Sequence, residues 1–459
     1  MAEVLQDVVL IEKSTRKNRR LFKPFQIYGR FLGVNDGRLF FRTTGLNGVS
    51  CKNFCVQSIR FDQPSDVQMV VPQSDREVLA QASLISGRVV AQFFNSVNIR
   101  SKEFHSRVAV FDLKGQSLAS FPIADQGLFP VGVLSNFTGG SESKSIYFNY
   151  SSFVDSPVVF RLDLGQLSLS RLNDPTKLFD ASKVDIQLVR YRSRDGVEIP
   201  MHIFRRKDWA GPNQFAYLFF YGAIGVNNFA GFTTKFQMML ELGGVFAVAY
   251  VRGGGELGED WIKAGAREKM KTFEDIAYAS RFLRRNLDLV RDAEGAGRVI
   301  ASGRSFGGWH VFVMRALFES DFSMFIPCVP IYDLERSIKN GNGWHLVDDV
   351  GFQRRSDGRV VFDESQFRTV RRFNPPEFLK SLKAKKPTII FAGTRDTRTM
   401  PTQAYLGYIQ LRKQLGEGAG VYLMSYENTG HLSRREGSSG DEVNFIANAF
   451  GIRELTELR

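Results

Sequence analysis

Ser305 lies in the stretch Gly303-Arg304-Ser305-Phe306-Gly307-Gly308, a serine bracketed by glycines. A serine hydroxyl alone is a weak nucleophile and needs an adjacent base to take its proton. A carboxylate and an imidazole occur later in the chain. Asp396 sits in Gly393-Thr394-Arg395-Asp396-Thr397-Arg398, and His431 ends Asn428-Thr429-Gly430-His431. The chain has five histidines, His105, His202, His310, His345 and His431, and only His431 falls beyond both the serine and the acid. Serine, carboxylate and imidazole together can carry out covalent, nucleophilic chemistry at a carbonyl carbon.

Three separate elements must bring these residues together. Residues 298–302 read as a strand, and the run after Gly308 reads as a helix. That strand–turn–helix context leaves the serine oxygen at the apex of a sharp turn. The glycines permit the turn and a close helix–strand approach. Asp396 follows the apolar strand 388–391, and His431 follows the strand 421–426. Serine, acid, histidine is the chain order of an α/β-hydrolase domain. Further strands are expected at 216–221, 244–251 and 327–331, with helices at 273–287, 307–318, 403–415 and 441–450. Strands alternating with helices predict a mostly parallel sheet covered on both faces.

The first 180 or so residues differ. Short aromatic strands alternate with turn residues, and helical spacing is scarce. Arg38-Leu39-Phe40-Phe41, Val90-Ala91-Gln92-Phe93-Phe94 and Ser145-Ile146-Tyr147-Phe148 recur about every 50 residues, a period suited to propeller blades. A partner strand ending near Asp62, Asp112 or Asp163 follows each. An irregular β-sandwich is the rival reading. The division is placed at 1–185, a partial all-β propeller of three to four blades, and 186–459, the α/β-hydrolase domain. Asp195-Gly196 reads as a hairpin turn near the changeover.

Composition narrows the function. The chain has 459 residues, 43% of them hydrophobic, 41 phenylalanines and a net charge of +13. No nucleic-acid motif accompanies the basic cluster between Lys13 and Arg20, so no nucleic-acid partner is expected. The start, with an acidic residue and no long apolar core, does not read as a signal peptide, so none is expected, and no apolar run is long enough to span a membrane. Three cysteines, Cys51, Cys55 and Cys328, argue against a disulfide framework and for a reducing, cytoplasmic location. No His/Cys cluster has metal-ligand spacing, so no metal or other cofactor is expected. The oligomeric state is left open.

At Val251-Arg252-Gly253-Gly254-Gly255-Glu256-Leu257-Gly258-Glu259-Asp260-Trp261 the sequence becomes specific. With the serine elbow and Asp396-Thr397-Arg398-Thr399-Met400-Pro401, this turn resembles the prolyl oligopeptidase family of serine peptidases, closest to its prolyl endopeptidase branch. The resemblance is strong from about Val189 to the C-terminus and weaker through the β half.

It implies a serine-type endopeptidase that cleaves short peptides, after proline, through an acyl-enzyme. Ser305 would be the nucleophile, His431 the general base and Asp396 its orienting acid. Phe306 would supply a backbone oxyanion donor and Arg398 would bind a substrate carbonyl. The second oxyanion donor in the family is a tyrosine. An ungapped alignment puts Ala223 there, whereas a two-residue insertion gives the role to Tyr221. Trp344 is the candidate aromatic against the substrate's proline. Asp348 and Asp349 read as an exposed loop pair. The family carries a helical segment and further blades before this point. The chain therefore reads as N-terminally shortened, either a short relative or a sequence whose beginning is missing. A catalytically weak relative acting as a peptide-binding module is the alternative. An esterase on the same triad is a third reading.

Overall fold

The structure is a computed structural model. It describes residues 29–46, 48–95, 106–129, 132–140, 142–175, 181–228, 234–341, 343, 346–353, 355, 360–431 and 438–452, together with 9–11, 16 and 18–20. A short antiparallel hairpin, β1 (Val9–Ile11) and β2 (Asn18–Arg20), comes first. Three four-stranded antiparallel sheets follow, each in sequential order. The first holds β3 (Gly29–Asn35), β4 (Arg38–Thr43), β5 (Cys55–Arg60) and β6 (Val67–Val71). The second holds β7 (Val78–Ile85), β8 (Arg88–Phe94), β9 (Ser106–Phe111) and β10 (Ser117–Pro122). The third holds β11 (Gly132–Thr138), β12 (Ser145–Ser152), β13 (Val158–Asp163) and β14 (Ser168–Arg171). These are propeller blades. The three repeats seen in the sequence are β4, β8 and β12, the second strand of each sheet. Meander sheets bury both faces when stacked blade on blade, which is why these strands read as dense apolar runs. The side chain of Gln92 bridges the second and third blades, donating to the Gly132 carbonyl (3.0 Å) and accepting from the Leu134 N–H (3.3 Å).

The remaining strands form one eight-stranded sheet. These are β15 (Val184–Arg192), β16 (Glu198–Arg206), β17 (Ala216–Phe220), β18 (Val245–Ala249), β19 (Val299–Arg304), β20 (Met324–Cys328), β21 (Thr388–Gly393) and β22 (Val421–Tyr426). Their spatial order is β15-β16-β18-β17-β19-β20-β21-β22. β15, β16 and β18 pair antiparallel, and every pairing from β18 to β22 is parallel. Side chains alternate between two cores, as a period of two requires. Ala216, Leu218 and Phe220 face a cluster with α3 (Lys269–Asn286) and α4 (Phe306–Leu317). Tyr217, Ile300 and Ile326 face the opposite cluster, with α1 (Thr234–Glu241) and α9 (Ser438–Phe450). Phe94 and Phe153 from the blades enter that second core, and Phe153 lies 5.1 Å from the ring of Phe204. The smaller helices are α2 (Glu259–Arg267), α5 (Leu334–Lys339), α6 (Glu364–Arg371) and α7 (Pro375–Phe378), with α8 (Pro401–Leu415) before β22.

The β15–β16 hairpin turns at Asp195-Gly196, where Gly196 has φ +81°. Arg252 clamps this hairpin to α3. Its guanidinium donates to Asp275 (2.6 and 2.9 Å) and Asp195 (2.6 and 3.1 Å). The arginine of the glycine-rich turn is thus a structural bolt.

Three expectations need correction. The strand placed at 327–331 is Met324–Cys328. Val329 turns to φ +39° and Pro330 has no N–H to donate, so the run cannot continue. Asp349 is not exposed: it is 3% accessible and ion-paired with Lys269. Cys51 and Cys55 form a disulfide, whereas the low, odd cysteine count argued against a disulfide framework. Cys328 is the free cysteine. Among the described residues, no helix is long and apolar enough to cross a membrane.

Candidate active site

Ser305 follows β19 directly and caps α4 with φ +59° and ψ −122°, a strained left-handed position for a residue with a Cβ. Its N–H donates to the Cys328 carbonyl at 2.9 Å, which ties the elbow to β20. A Cβ at Gly303 would lie 2.4 Å from the Gly307 carbonyl oxygen, so only glycine fits inside this turn. Helix α4 can therefore start directly against the strand.

The His431 Nε2 atom lies 2.9 Å from Ser305 Oγ, and its Nδ1 atom lies 2.7 Å from Asp396 Oδ2. Three residues remote in sequence form one hydrogen-bonded chain. The acid and histidine loops are stitched through their backbones. The Arg395 N–H donates to the Thr429 carbonyl (3.0 Å), and the Thr394 N–H to that of Tyr426 (3.0 Å). Arg304 donates to the His431 carbonyl. Burial pushes the Asp396 carboxyl upward. The hydrogen bond and charge of His431 and the N–H groups of Thr399 and Arg398 outweigh it, and the net shift is below the ordinary value. The sequence reading missed Thr399. Its hydroxyl lies 3.0 Å from Asp396 Oδ2, 3.1 Å from His431 Nδ1 and 2.8 Å from the Val329 carbonyl. A threonine three residues past the acid was the available signal.

Phe306 is the first residue of α4, and its N–H has no intrahelical acceptor. Its ring stacks on Trp309 at 4.8 Å, in the core beneath the turn. Of the two positions held open for the second donor, Ala223 is fully buried and has no hydroxyl. Tyr221 lies beside Ser305. Burial and the charge of Asp349 push its pKa up to about 12, against the opposing pull of the Ser305 hydrogen bond and Arg398. The phenol therefore keeps its proton at neutral pH and can donate it. The turn after Tyr221 is held from below. Lys269 Nζ donates to the Gly222 carbonyl (2.8 Å) and to Asp349 Oδ2 (2.5 Å), while Asp349 Oδ1 accepts the Ile224 N–H (2.7 Å). A Cβ at Gly222, φ +62°, would lie 2.4 Å from the Val251 side chain.

Two cavities flank the chain of three residues. One of about 690 Å³ reaches Arg304, Cys328 and Gly430 and runs back to the buried Lys235–Glu442 pair. The other, about 490 Å³, contains Arg398, whose backbone N–H donates to Asp396 Oδ1 at 2.9 Å. Trp344, the expected proline-stacking residue, lies outside the described residues.

Fold and site together define an α/β-hydrolase domain with a Ser-His-Asp constellation, joined to propeller blades. The model of the prolyl oligopeptidase family matches residues 230–452, and that of the prolyl oligopeptidase N-terminal beta-propeller domain matches residues 14–174. The chain belongs to the prolyl oligopeptidase family. It is 24% identical over 366 residues to a prolyl endopeptidase of Elizabethkingia miricola, covering 77% of this chain and 49% of the relative. It is 23% identical over 411 residues to a prolyl endopeptidase of Dictyostelium discoideum, covering 85% and 52%. The chain thus spans about half the length of these relatives. A solved prolyl endopeptidase structure superposes with a TM-score of 0.82 at 21% identity, covering 98% of this chain and 64% of that one.

Proposed function

We propose that this protein is a serine-type endopeptidase that hydrolyses short peptides on the C-terminal side of proline. The carrying observation is the hydrogen-bonded chain from Ser305 through His431 to Asp396. In this reading Ser305 Oγ attacks the scissile carbonyl carbon while His431 Nε2 takes the hydroxyl proton. Asp396 holds the imidazole by Nδ1–H and stabilises its cationic form. The Phe306 N–H and Tyr221 O–H receive the developing oxyanion. His431 then protonates the leaving amine, which departs and leaves an ester on Ser305. A water molecule gives its proton to His431 and attacks that ester; the bond to Ser305 Oγ breaks, His431 returns the proton to Oγ, and the acid leaves. Arg398 binds a substrate carbonyl, and Trp344 stacks on the proline ring. Preference for proline rests on the family relationship and on the names of the relatives.

The same proposal divides the chain into partial propeller, 1–185, and peptidase domain, 186–459. A cytoplasmic location rests on the scarcity of cysteine, and the Cys51–Cys55 bridge weighs against it. The binding-module alternative drew on doubt about the second oxyanion donor, and Tyr221 beside Ser305 favours the peptidase.

A fluorophosphonate probe is expected to label the folded protein at Ser305 and not the Ser305→Ala variant. A Gly-Pro reporter peptide is expected to be cleaved, and cleavage to vanish in His431→Ala. A folded chain that neither reacts with the probe nor turns over the reporter would end the proposal.

A further inference from the structure

The 490 Å³ cavity beside Asp396 is walled by the start of α8 and by α5. Two guanidinium groups line it, Arg336 and Arg398, and no carboxylate is among its described lining residues. Several other arginines of the domain do meet acidic partners: Arg252, Arg281, Arg284, Arg315 and Arg371 each have an acidic side chain within 4.0 Å. Lys339, on the same helix as Arg336, is paired with Glu335. Among the described residues, neither Arg336 nor Arg398 has a side-chain hydrogen bond or ion pair. Their backbones are engaged, the Arg336 N–H with Asp333 Oδ1 (3.0 Å), the Arg336 carbonyl with the Asn340 N–H (3.0 Å) and the Arg398 N–H with Asp396 Oδ1 (2.9 Å).

The walls of this cavity are fixed. Gln403, near the start of α8, accepts the N–H groups of Tyr332 (2.9 Å) and Asp333 (2.8 Å) through its carbonyl oxygen. Its amide donates to Ser337 Oγ (3.0 Å). One buried side chain thus locks the two helices across the gap and holds Arg336 and Arg398 on a common cleft. The cleft lies beside the loop that carries the acid. Arg398 follows the acid by two residues, and its charge acts on the Tyr221 hydroxyl. Two like charges left unpaired on a prebuilt cleft are a receptor for an anion. Guanidinium forks match a carboxylate geometrically and bind it with charge-assisted hydrogen bonds. The net charge of +13 draws anionic peptides toward the molecule as a whole.

We infer that Arg336 and Arg398 form a carboxylate-binding subsite, and that the protein prefers peptides placing a carboxylate in this cleft while the scissile bond reaches Ser305. The inference rests on the peptidase reading for its substrate class. Arg336 is its distinguishing residue. The carboxylate is supplied either by an acidic side chain or by a free peptide C-terminus.

The test uses the full chain and quenched-fluorescence peptides with one Gly-Pro core. One series carries Glu or Gln at successive positions; a second compares free-acid with amidated C-termini. In whichever series supplies the carboxylate, kcat/KM is expected to favour the charged member about 10-fold. The preference should shrink as salt rises. Arg336→Gln should bring the charged-to-neutral ratio close to one, and Arg336→Lys should retain part of it. Equal rates for charged and neutral members in both series, or a preference that survives Arg336→Gln, would overturn the inference. Binding of the same labelled peptides to Ser305→Ala, followed by fluorescence anisotropy, reads the subsite without turnover. If no peptide is cleaved the peptidase reading fails, and the anisotropy ratio with and without Arg336→Gln still decides for or against the subsite.

Discussion

Tyr221 carries the sharpest prediction at the scale of single residues. Removing its hydroxyl in Tyr221→Phe takes away one oxyanion donor and leaves the ring packed on Gly307. The expected result is a fall in kcat on the order of 100- to 1000-fold with KM little changed. Circular dichroism should match the parent. Asp396 gives a pH prediction. Its carboxyl titrates below its ordinary value in the folded protein. Ionised Asp396 therefore contributes stability that is present above the unfolded pKa, and it is lost as pH falls through the folded one. Asp396→Asn should be less stable than the parent to urea at neutral pH, and the difference should narrow as the solution is acidified. The elbow itself was legible in the sequence, because glycines must stand where backbone meets backbone. Thr399 was not, since a threonine after an acid is ordinary until its hydroxyl is seen between the carboxylate and the imidazole. Nor could residue types choose between Tyr221 and Ala223. The choice depends on how the turn after β17 folds over Val251.

Lys269 opens α3 and Asp349 lies in the loop after α5, yet together they grip both ends of the Gly222–Ile224 segment. Losing one partner of such a buried pair costs about 3–5 kcal/mol. Lys269→Met is expected to lower the melting temperature and also kcat, because the tyrosine hydroxyl loses its aim. A purely structural role would lower kcat equally in any background. Here the kcat effect should disappear when Lys269→Met is made in Tyr221→Phe, a non-additivity that a double-mutant cycle measures. The glycine-rich turn before α2 holds a second buried acid. Burial pushes the pKa of Glu256 up from 4.5 to about 7, although its carboxylate accepts the Asn228 N–H. A folded-state pKa above the unfolded one means the fold loses stability as pH rises between those two values. Glu256→Gln should therefore match the parent near pH 4 and melt higher near pH 8. The long helix α3 was readable from apolar spacing, with Ile276, Ala279 and Leu283 on one face. β20 was read three residues late because apolar content alone does not show where Val329 bends. Asp349 was read as exposed because a carboxylate's partner 80 residues away leaves no local trace.

For the whole molecule, the roughly 50-residue period announced the blades, and each proved to be a four-stranded sheet. How blades meet the sheet domain was not readable, since it runs through unrelated short contacts. The disulfide loop 51–55 is one of them: the Lys52 carbonyl accepts the Glu259 N–H (2.8 Å) and so caps α2, while Lys52 Nζ pairs with Asp260 (3.0 Å). Alkylation of the native protein without reductant is expected to modify Cys328 only. Labelling of Cys51 or Cys55 under those conditions would show the bridge absent. Hydrogen exchange at the first turn of α2 should quicken once the bridge is reduced. The backbone bonds joining the loops after β21 and β22 bear on the molecule's tolerance of change. Because main-chain atoms align the acid with the imidazole, side-chain drift along either strand leaves the machinery armed. A single-residue deletion inside either strand would throw the two groups out of step and silence it at one stroke.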